Sequence, residues 1–548
     1  MNLGKSDVVF CDVLVIGGGG AGLRAAIAAR ETGADVVLVS KTRIGYASNT
    51  LISKATFAAP SGWSDPRDNP EVFLKDAVVG GRFINDQQLV ATVSREAGLQ
   101  VSFLEKCGVK FIESKGRILA IHPAGHSYPR HLRTRGQEGS GLIFPLIKYA
   151  RKNGVRFAGS VFITRLLISK TGRVAAAAGI TRDGRFMTFV SKCFVLATGG
   201  FAQIFLHTNN AAGICGDGLA LAFEVGAPLK DLEFVQFYPT AAGKLGNRLV
   251  LYEDLILRDK AVLKNADGSD IVVRHGLNDA MKMTRDRLAR AIMQEVLDGR
   301  GVQGGVIMDL SRASEAHRLE YRSLFKASKE KQFIVSPTTH FCSGGVMINA
   351  TGQTPIDGLF AAGEVCAGVH GANRLAGNAL TEVFAMGAIA GKMAALKAKE
   401  LEPPQLRSEK IMAEKNRLES FGAGRHTDLR QLRHSLKETM WYKAGICRNA
   451  DDLADALKKI EALYSNISDV GLKNFRELIR ALELQNMLLV SEMVCRAALM
   501  RSESRGAHYR SDYPVANDKD WLKNIVIRRQ AAEMTLQPVP VTMDLISP

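Results

Sequence analysis

The sequence predicts an α/β fold in which a doubly wound sheet is interrupted by an inserted α+β domain and followed by a helical domain. Three observations predict it: a strand, glycine turn, helix and strand at the start, a return of glycine-rich apolar sequence near Thr338, and a glycine-poor helical pattern after Pro403. The predicted units are residues 1–231 together with 338–400, residues 232–337, residues 403–501 and residues 502–548.

The first unit begins with the pattern of a βαβ motif. Residues 13–16 form a short apolar run, residues 17–22 are rich in glycine, residues 23–32 are rich in alanine and helical, and residues 36–39 are apolar again. Strands joined through a crossover helix run parallel, and a parallel sheet carries helices on both faces. The start therefore predicts a doubly wound sheet of the Rossmann type.

Further elements follow from periodicity. The predicted elements are helices within 69–108, strands at 160–167, 174–181 and 194–197, a helix at 286–297 in the inserted domain, and a helical bundle within 403–501. Residues 502–548 show little periodicity, and we expect them to wrap over the surface.

Composition narrows the class of protein. The net charge is +17, but the basic residues are spread along the chain without an arginine-rich arm or a nucleic-acid motif, which favours a solvated basic surface and no nucleic-acid partner. Eight cysteines occur without any C-x-x-C spacing, which argues against a metal site, a resident iron–sulfur cluster or a disulfide framework. With no signal peptide pattern and no long uncharged apolar stretch, we expect a cytoplasmic protein that meets a membrane only through partners.

The glycine turn has the spacing G-x-G-x-x-G at Gly17, Gly19 and Gly22, after a strand and before a helix. These glycines allow a tight turn, close approach of a pyrophosphate to the backbone, and close helix packing, while the helix amides bind phosphate. The motif predicts a dinucleotide site, and the alternative is a glycine-rich packing turn. Ser40 and Lys41 stand where a nicotinamide dinucleotide fold usually places an acid, which weakens that interpretation.

A second glycine-rich stretch, residues 358–380, reads "GLFAAGEVCAGVHGANRLAGNAL". Gly363 permits close approach of a backbone, and Glu364 can accept a ribose hydroxyl. A helix that starts near Asn378 would direct its positive end at a ligand. Two distant glycine-rich stretches suit one long ligand that lies extended between them.

These residues carry a family resemblance along most of the chain. The chain resembles the flavoproteins of the fumarate reductase, succinate dehydrogenase and L-aspartate oxidase family in the order and spacing of "VIGGGGAG", "ATGG", "QFYPT", "TRDRLARAI", "HFCSGGV", "HGANRL", "MWYKAGICRN" and "SRGAHYRSDYP". The resemblance implies a Rossmann-like FAD-binding domain with an inserted capping domain and a C-terminal helical domain.

The resemblance also implies the residues that hold FAD. They are Gly17, Gly19, Gly20, Ala21, Gly22, Ser40, Lys41, Ser48, Asn49, Thr50, Thr198, Gly199, Gly200, Asp217, Glu364, Asn378, Ala379 and Leu380. Many relatives bond FAD covalently through the histidine of an S-H-T segment. Here that segment is Ser48-Asn49-Thr50, and an asparagine cannot form the bond, so we expect noncovalent FAD.

By the same resemblance, Arg285 carries the proton of the reaction, and His340 and Arg374 grip a substrate carboxylate. Arginine can bind a carboxylate through two parallel hydrogen bonds, which makes such a grip geometrically specific. Arginine is normally locked in its charged form, so its use as an acid needs a proton relay and a dry site. The alternative for Arg285 is a pairing with Asp286 or a helix cap.

The chain departs from the family pattern at three places. Tyr238 stands where relatives have a substrate-binding histidine. The family's T-E-x-x-R-G-E-G segment is replaced by residues 252–262, in which Glu253, Asp254 and Arg258 are candidates for the proton relay. Phe341, Cys342 and Ser343 stand where Tyr, Thr and Met or Cys are common, and Cys342 is either reactive or a small packing residue. These changes in the residues that bind the substrate favour a small-molecule carboxylate other than fumarate or succinate. It would be either larger or limited to one acid group.

The leading hypothesis is an FAD-dependent oxidoreductase that transfers a hydride between flavin and a C–C bond next to a carboxylate. Because the chain carries no cluster motif, we expect electrons to pass to or from a partner iron–sulfur or other redox protein. The alternatives are amine oxidation like that of L-aspartate oxidase, a catalytic subunit like that of adenylylsulfate reductase, and a non-catalytic FAD electron-transfer subunit.

Overall fold

The predicted βαβ motif lies at the centre of a mixed sheet. The computed structural model describes residues 3–4, 6–60, 64–123, 125–136, 138–242, 249–251, 254–278, 283–405, 408–422, 424, 428–468, 470–531 and 533–548. The strand order is Arg156–Gly159, Val36–Ser40, Ser6–Ile16, Phe186–Leu196, Val174–Thr181 and Val161–Ile168, and Leu359–Ala361 also pairs with Phe186–Leu196.

The sheet is parallel where the cofactor motif lies and antiparallel at one side. Ser6–Ile16 runs parallel to both Val36–Ser40 and Phe186–Leu196, whereas Val174–Thr181 runs antiparallel to both of its neighbours. The central strand is longer than the predicted residues 13–16, because its first half pairs with residues 186–191 in spite of its polar start. Helices of this domain are Gly20–Glu31, Asn49–Ile52, Pro70–Gly80, Gln87–Lys106, Glu138–Lys152, Asp217–Glu224 and Asn378–Glu400.

The helix Asn378–Glu400 joins the two halves of the discontinuous domain. It packs on Gly20–Glu31, and Gly391 lies so close to that helix that a Cβ would come within 2.1 Å of the Ala25 carbonyl oxygen. The helix is long and apolar enough to cross a membrane, but 67% of its most apolar window is buried inside the protein. It therefore serves as a core helix of this domain.

The inserted segment builds a second sheet with its own core. The strand order is Leu249–Val250, Val235–Ala242, Gln332–Cys342, Val306–Asp309 and Val262–Lys264. The helix Arg285–Leu297 packs on this sheet, and the shorter helices are Asp254–Leu257, Ile271–Arg274, Glu315–Glu320 and Arg322–Ala327. Because Leu288, Ile292 and Val335 are buried in a cluster separate from the main core, this unit buries apolar surface of its own. The strand Gln332–Cys342 runs through residue 338, where we placed the domain boundary.

The helical domain follows the predicted pattern, and the chain after it adds a short helix and a hairpin. The helices are Ser408–Ser420, Leu429–Lys443, Ala450–Ser468 and Phe475–Met500. Residues 502–548, which we expected to wrap over the surface, contain the helix Asp518–Trp521 and a hairpin of Lys523–Gln530 with Glu533–Pro540. The hairpin pairs with Leu229–Lys230, which in turn pairs with Gly345–Val346. Strand edges with unpaired amides favour such additions, and sequence periodicity alone does not reveal them.

Candidate active site

A cavity lies at the carboxyl ends of the central parallel strands. Ile16, Val39 and Ala197 contribute the strand ends, and the N-terminus of the helix Gly20–Glu31 points into the same space. The first turn of that helix has no acidic residue, so its positive end is available to an anion. Carboxyl ends of parallel strands are where open α/β sheets bind ligands.

The glycine turn is required by its surroundings. Gly17 has φ +125°, and a Cβ there would come within 2.1 Å of the Ala197 carbonyl oxygen. A Cβ on Gly22 would come within 1.8 Å of the Gly17 carbonyl oxygen. Side chains at these two positions would therefore separate the helix from the strands that frame the cavity.

Most of the residues that we predicted to hold the cofactor line this cavity. They are Gly17, Gly19, Gly20, Ala21, Ser40, Lys41, Ser48, Asn49, Thr50, Thr198, Gly199, Asp217 and Glu364. The hydroxyl of Thr198 is buried without a hydrogen-bond partner among the residues that the structure describes, which suits a ligand atom in the cavity.

The other predicted cofactor residues lie outside the lining. Gly22 and Gly200 permit close packing, and a Cβ on Gly200 would come within 2.7 Å of the Glu364 carboxylate. Asn378 begins the helix Asn378–Glu400 after Gly377, whose φ is +79°. Asn378, Ala379 and Leu380 are buried or half-buried at that helix start. Their contact with a cofactor stays a prediction.

Lys41 joins the cavity to the helical domain. Its Nζ lies 2.5 Å from Asp217 Oδ2 and 2.6 Å from Glu483 Oε1, and Asn486 donates to Asp217 Oδ1 at 2.9 Å. Burial alone would lower the pKa of Lys41, but the two carboxylates outweigh it and raise that pKa above its usual value. Glu483 and Asn486 lie on the helix Phe475–Met500, for which we predicted no part in the site.

Asn49 and Glu364 form the other end of the cavity. The amide nitrogen of Asn49 donates to Glu364 Oε2 at 2.9 Å and to Asn210 Oδ1 at 2.5 Å. Burial raises the pKa of the Glu364 carboxyl to about 7, and the hydrogen bond from Asn49 opposes part of that rise. Glu364 thus titrates near neutrality beside the cavity.

Beyond this end, the four residues predicted for catalysis come together. The Arg285 guanidinium carbon lies 4.6 Å from the centre of the Tyr238 ring, and that ring meets His340 edge to face with centres 5.5 Å apart. Arg374 donates to Gln236 Oε1 at 2.8 Å and lies 5.0 Å from the centre of the Phe341 ring. Tyr238 and Arg374 are buried. Arg285, Tyr238 and His340 are therefore neighbours in space, and Arg374 lies close enough for its charge to act on His340.

The cluster is cationic only at its arginines. Burial lowers the pKa of His340 well below its ordinary value, and the charges of Arg374 and Arg285 lower it further. His340 is therefore neutral at physiological pH. Tyr238 adds a hydroxyl without positive charge at that pH.

Two family models match the chain in sequence. The model described as "FAD binding domain" matches residues 12–380, and the model described as "Fumarate reductase flavoprotein C-term" matches residues 433–548. The chain belongs to the fumarate reductase and succinate dehydrogenase flavoprotein family. Its cofactor is FAD, and it is an FAD-dependent oxidoreductase. The predicted fold class is confirmed.

Similar proteins cover nearly the whole chain. The matching chain of the CoM/CoB fumarate reductase of Methanothermobacter marburgensis is 34% identical over 96% of this chain and 98% of its own length. An L-aspartate oxidase of Streptomyces coelicolor is 32% identical over 95% of this chain and 92% of its own length. The solved Sdh1 of Mycobacterium smegmatis is 30% identical, with a TM-score of 0.89 over 99% of this chain and 96% of its own.

The segment that replaces the family's T-E-x-x-R-G-E-G stretch, residues 252–262, lies within the described residues from 254 onward. Glu253 falls outside the described residues, so its candidacy as a proton relay stays a prediction. Asp254 begins the helix Asp254–Leu257, and Arg258 follows it with an exposed side chain.

The altered "HFCSGGV" segment favours packing over reactivity at its cysteine. Cys342 is buried in the main core, and its amide donates to Glu364 Oε1 at 3.2 Å. Burial raises the pKa of the Cys342 thiol well above its ordinary value, which keeps it protonated and unreactive. Within the described residues, no group of three or more His, Cys, Asp or Glu side chains is arranged to hold a metal.

Two asparagines near the site were missed from the sequence. Asn209 contacts His340 Nδ1, and Asn210 binds Asn49 and the His340 carbonyl. Their signal is the polar run "HTNN" after an apolar segment, a run that favours local side-chain to backbone bonds. That signal does not say which distant segment they meet.

Proposed function

We propose that this flavoprotein transfers a hydride between FAD and one carbon of a C–C bond next to a carboxylate. Relatives named fumarate reductase support a reaction of this kind. The convergence of Arg285, Arg374, His340 and Tyr238 beside the FAD cavity supports this proposal most directly. When bound, FAD supplies or accepts the hydride. The protein must then hold the substrate and move one proton.

Each residue of the cluster has a part in the proposal. Arg374 and His340 bind the carboxylate, which draws electron density away from the neighbouring double bond and eases hydride attack. Arg374 is suited to this because Gln236 and the Leu375 carbonyl fix the orientation of its guanidinium group. Arg285 exchanges a proton with the other carbon, a role that needs a water-poor setting, and it packs against the buried Tyr238.

The charges of the cluster favour a particular class of carboxylate. Tyr238, which by the family resemblance stands in place of a substrate-binding histidine, is buried. A tyrosine hydroxyl binds a neutral or singly charged group without adding positive charge. The proposed substrate is therefore an unsaturated carboxylate with one acid group, or one larger than fumarate.

A dye-linked assay tests the proposal. The holoprotein is supplied with a chemically reduced viologen dye and a panel of unsaturated mono- and dicarboxylates, and dye oxidation is recorded. The proposal requires turnover with at least one member of the panel. Bound FAD without turnover across the panel would favour a non-catalytic electron-transfer subunit.

A redox partner is part of the proposal. Relatives are described as flavoprotein subunits of fumarate reductase or succinate dehydrogenase, which supports a separate protein that carries electrons. We propose an iron–sulfur or other redox protein in the cytoplasm, with any membrane contact made through it. Gentle affinity isolation, followed by iron and sulfide analysis of what remains bound, tests this.

Noncovalent FAD is a further part of the proposal. Asn49 occupies the place of the attaching histidine, and its amide is held by Glu364 and Asn210. Acid precipitation should leave the yellow flavin in the supernatant. Flavin that stays with the pellet would overturn this assignment.

The second candidate is amine oxidation, supported by the L-aspartate oxidase relative. Such a reaction needs a place for an ammonium group, and the described cluster offers two guanidinium groups instead. Oxygen uptake with L-aspartate separates the candidates. Uptake that matches dye-linked rates would favour the second one.

A further inference from the structure

A chain of side-chain amides connects the FAD cavity to His340. It runs from Glu364 through Asn49, Asn210 and Asn209 to the imidazole, with contacts of 2.9, 2.5, 3.3 and 2.9 Å in that order. An amide has one end that donates and one that accepts, so the orientation of each amide constrains the next. The donor-to-acceptor order along these side chains is set by backbone groups, because a backbone N–H can only donate and a carbonyl can only accept.

The orientation of the Asn49 amide is fixed at the cavity end. The backbone amide of Ala211 donates to Asn49 Oδ1 at 3.0 Å, so this atom must be the oxygen. The nitrogen of Asn49 therefore faces Glu364 Oε2 and Asn210 Oδ1.

The orientation of the Asn210 amide is fixed by two backbone carbonyls. Its nitrogen lies 3.2 Å from the Thr339 carbonyl and 3.0 Å from the His340 carbonyl, and both can only accept. The same nitrogen lies 3.3 Å from Asn209 Oδ1. The two hydrogens of this NH2 group face three acceptors, so one hydrogen is shared between Asn209 Oδ1 and a backbone carbonyl. A reversed Asn209 amide would set one NH2 group against another, so the oxygen of Asn209 faces Asn210.

Asn209 then meets the imidazole with its donor. Its nitrogen lies 2.9 Å from His340 Nδ1, closer than its oxygen, which lies 3.3 Å away. A donor at this distance requires Nδ1 to be the acceptor, which leaves the proton on Nε2.

We propose that Asn209 is a positioning residue that holds His340 as the Nε2–H tautomer, ready to donate to a substrate carboxylate. The tautomer itself rests on the contacts above, whereas its use in substrate binding rests on the proposed function. Asn49 has a part in the same device, because it orients the amide chain at the place where relatives attach their flavin.

The tautomer can be observed directly. The holoprotein is labelled with 15N only at its histidines, of which the chain has 11, and the His340 signals are identified by their loss in His340→Gln. We expect a pyridine-type Nδ1 and a protonated Nε2 that do not change between pH 6 and pH 8. A protonated Nδ1, or a titration within that range, would overturn the proposal.

Substitution of Asn209 tests what holds the tautomer. Asn209→Asp replaces the donor with a carboxylate, which requires a proton on Nδ1, so the 15N signals should shift to a protonated Nδ1. Asn69→Asp adds the same charge at an exposed helix cap and should leave the His340 signals unchanged. Unaltered His340 signals in Asn209→Asp would show that Asn209 does not set the tautomer.

Carboxylate binding separates this inference from the proposed function. Binding is followed through the change in the flavin absorption spectrum, with the best carboxylate of the dye-linked panel or, failing turnover, with each carboxylate of the panel in turn. Asn209→Leu should weaken binding about tenfold, the effect of one buried hydrogen bond, and this effect should vanish in a His340→Gln background. Equal losses in both backgrounds would refute a role through His340. Absent binding in the parent protein, together with the expected 15N signals, would refute the proposed function and leave the tautomer assignment standing.

Discussion

The FAD cavity and the catalytic cluster are built in different ways, although they adjoin. The cavity is framed by backbone: glycine turns, strand ends and a helix N-terminus. The cluster consists of side chains from the strands Val235–Ala242 and Gln332–Cys342, the start of Arg285–Leu297 and the loop that carries Arg374. A site framed by backbone keeps its shape when nearby side chains vary. A site made of side chains loses a functional group when one of them is substituted. The cavity should thus be sensitive to added volume and the cluster to altered charge.

The largest expected effect is on turnover. Arg285→Gln removes the proposed proton carrier, and the loss of general acid catalysis should lower kcat about 1000-fold. The FAD content of the purified protein should stay the same, because Arg285 does not line the cavity. The dye-linked assay measures the rate. Arg287→Gln, an exposed change on the same helix, is the control and should retain the parent rate.

The next effect is on the cavity itself. Gly17→Ala places a Cβ against the Ala197 carbonyl at a φ of +125°, and this clash with strain should cost about 3 kcal/mol of stability and release FAD. Gly33→Ala has a φ of +96° and no atom within 4 Å of its Cβ, so it should cost about 1 kcal/mol. Urea unfolding and flavin content measure both. Similar losses in the two variants would show that backbone strain, without the clash, explains the effect.

Glu364 should make the FAD-free protein less stable as pH rises. Its pKa rises on folding from 4.5 to about 7, so the folded state binds the proton more tightly. The contribution is fully present below pH 4.5 and is lost as pH rises through about 7, a decline of about 3 kcal/mol. Glu364→Gln should flatten this slope in urea unfolding between pH 5 and pH 8. Glu400→Gln, at an exposed helix end, should keep the parent slope.

The smallest effect concerns the residue that departs from the family. Tyr238→Phe removes a hydroxyl and keeps the ring, so the edge-to-face contact with His340 should persist. Loss of one hydrogen bond to substrate should lower kcat/KM about tenfold. FAD content and unfolding midpoint should match the parent protein. An unchanged kcat/KM would remove Tyr238 from the substrate site.

The cavity could be predicted from the sequence better than the cluster could, because the glycine motif that frames the cavity spans only a few neighbouring residues. The pattern around Gly17 and Gly22 predicts strand, turn and helix within a few residues, and the structure has them there. The cluster joins residues that lie far apart in the chain, so only the family resemblance identified Arg285 and Arg374. Asn209 could not be found that way, since its importance comes from a contact with His340 that no local pattern contains.

Glu483 shows the same limit within a correctly predicted element. Helical periodicity predicts the helix that carries it, but not that its carboxylate reaches Lys41 in another domain. The hairpin Lys523–Pro540 was missed because its strands are stabilised by pairing at an edge formed by Leu229–Lys230. Pairing across about 300 residues is invisible to a search for alternation.

That hairpin has a consequence for how the protein is made. Leu229–Lys230 and Gly345–Val346 are the places where the chain leaves for the inserted domain and comes back, and the hairpin adds to their sheet. A ribosome completes residues 229–346 long before it releases the strand that pairs with them. During that interval the junction has an unpaired edge, which a chaperone must shield or a neighbouring nascent chain can capture.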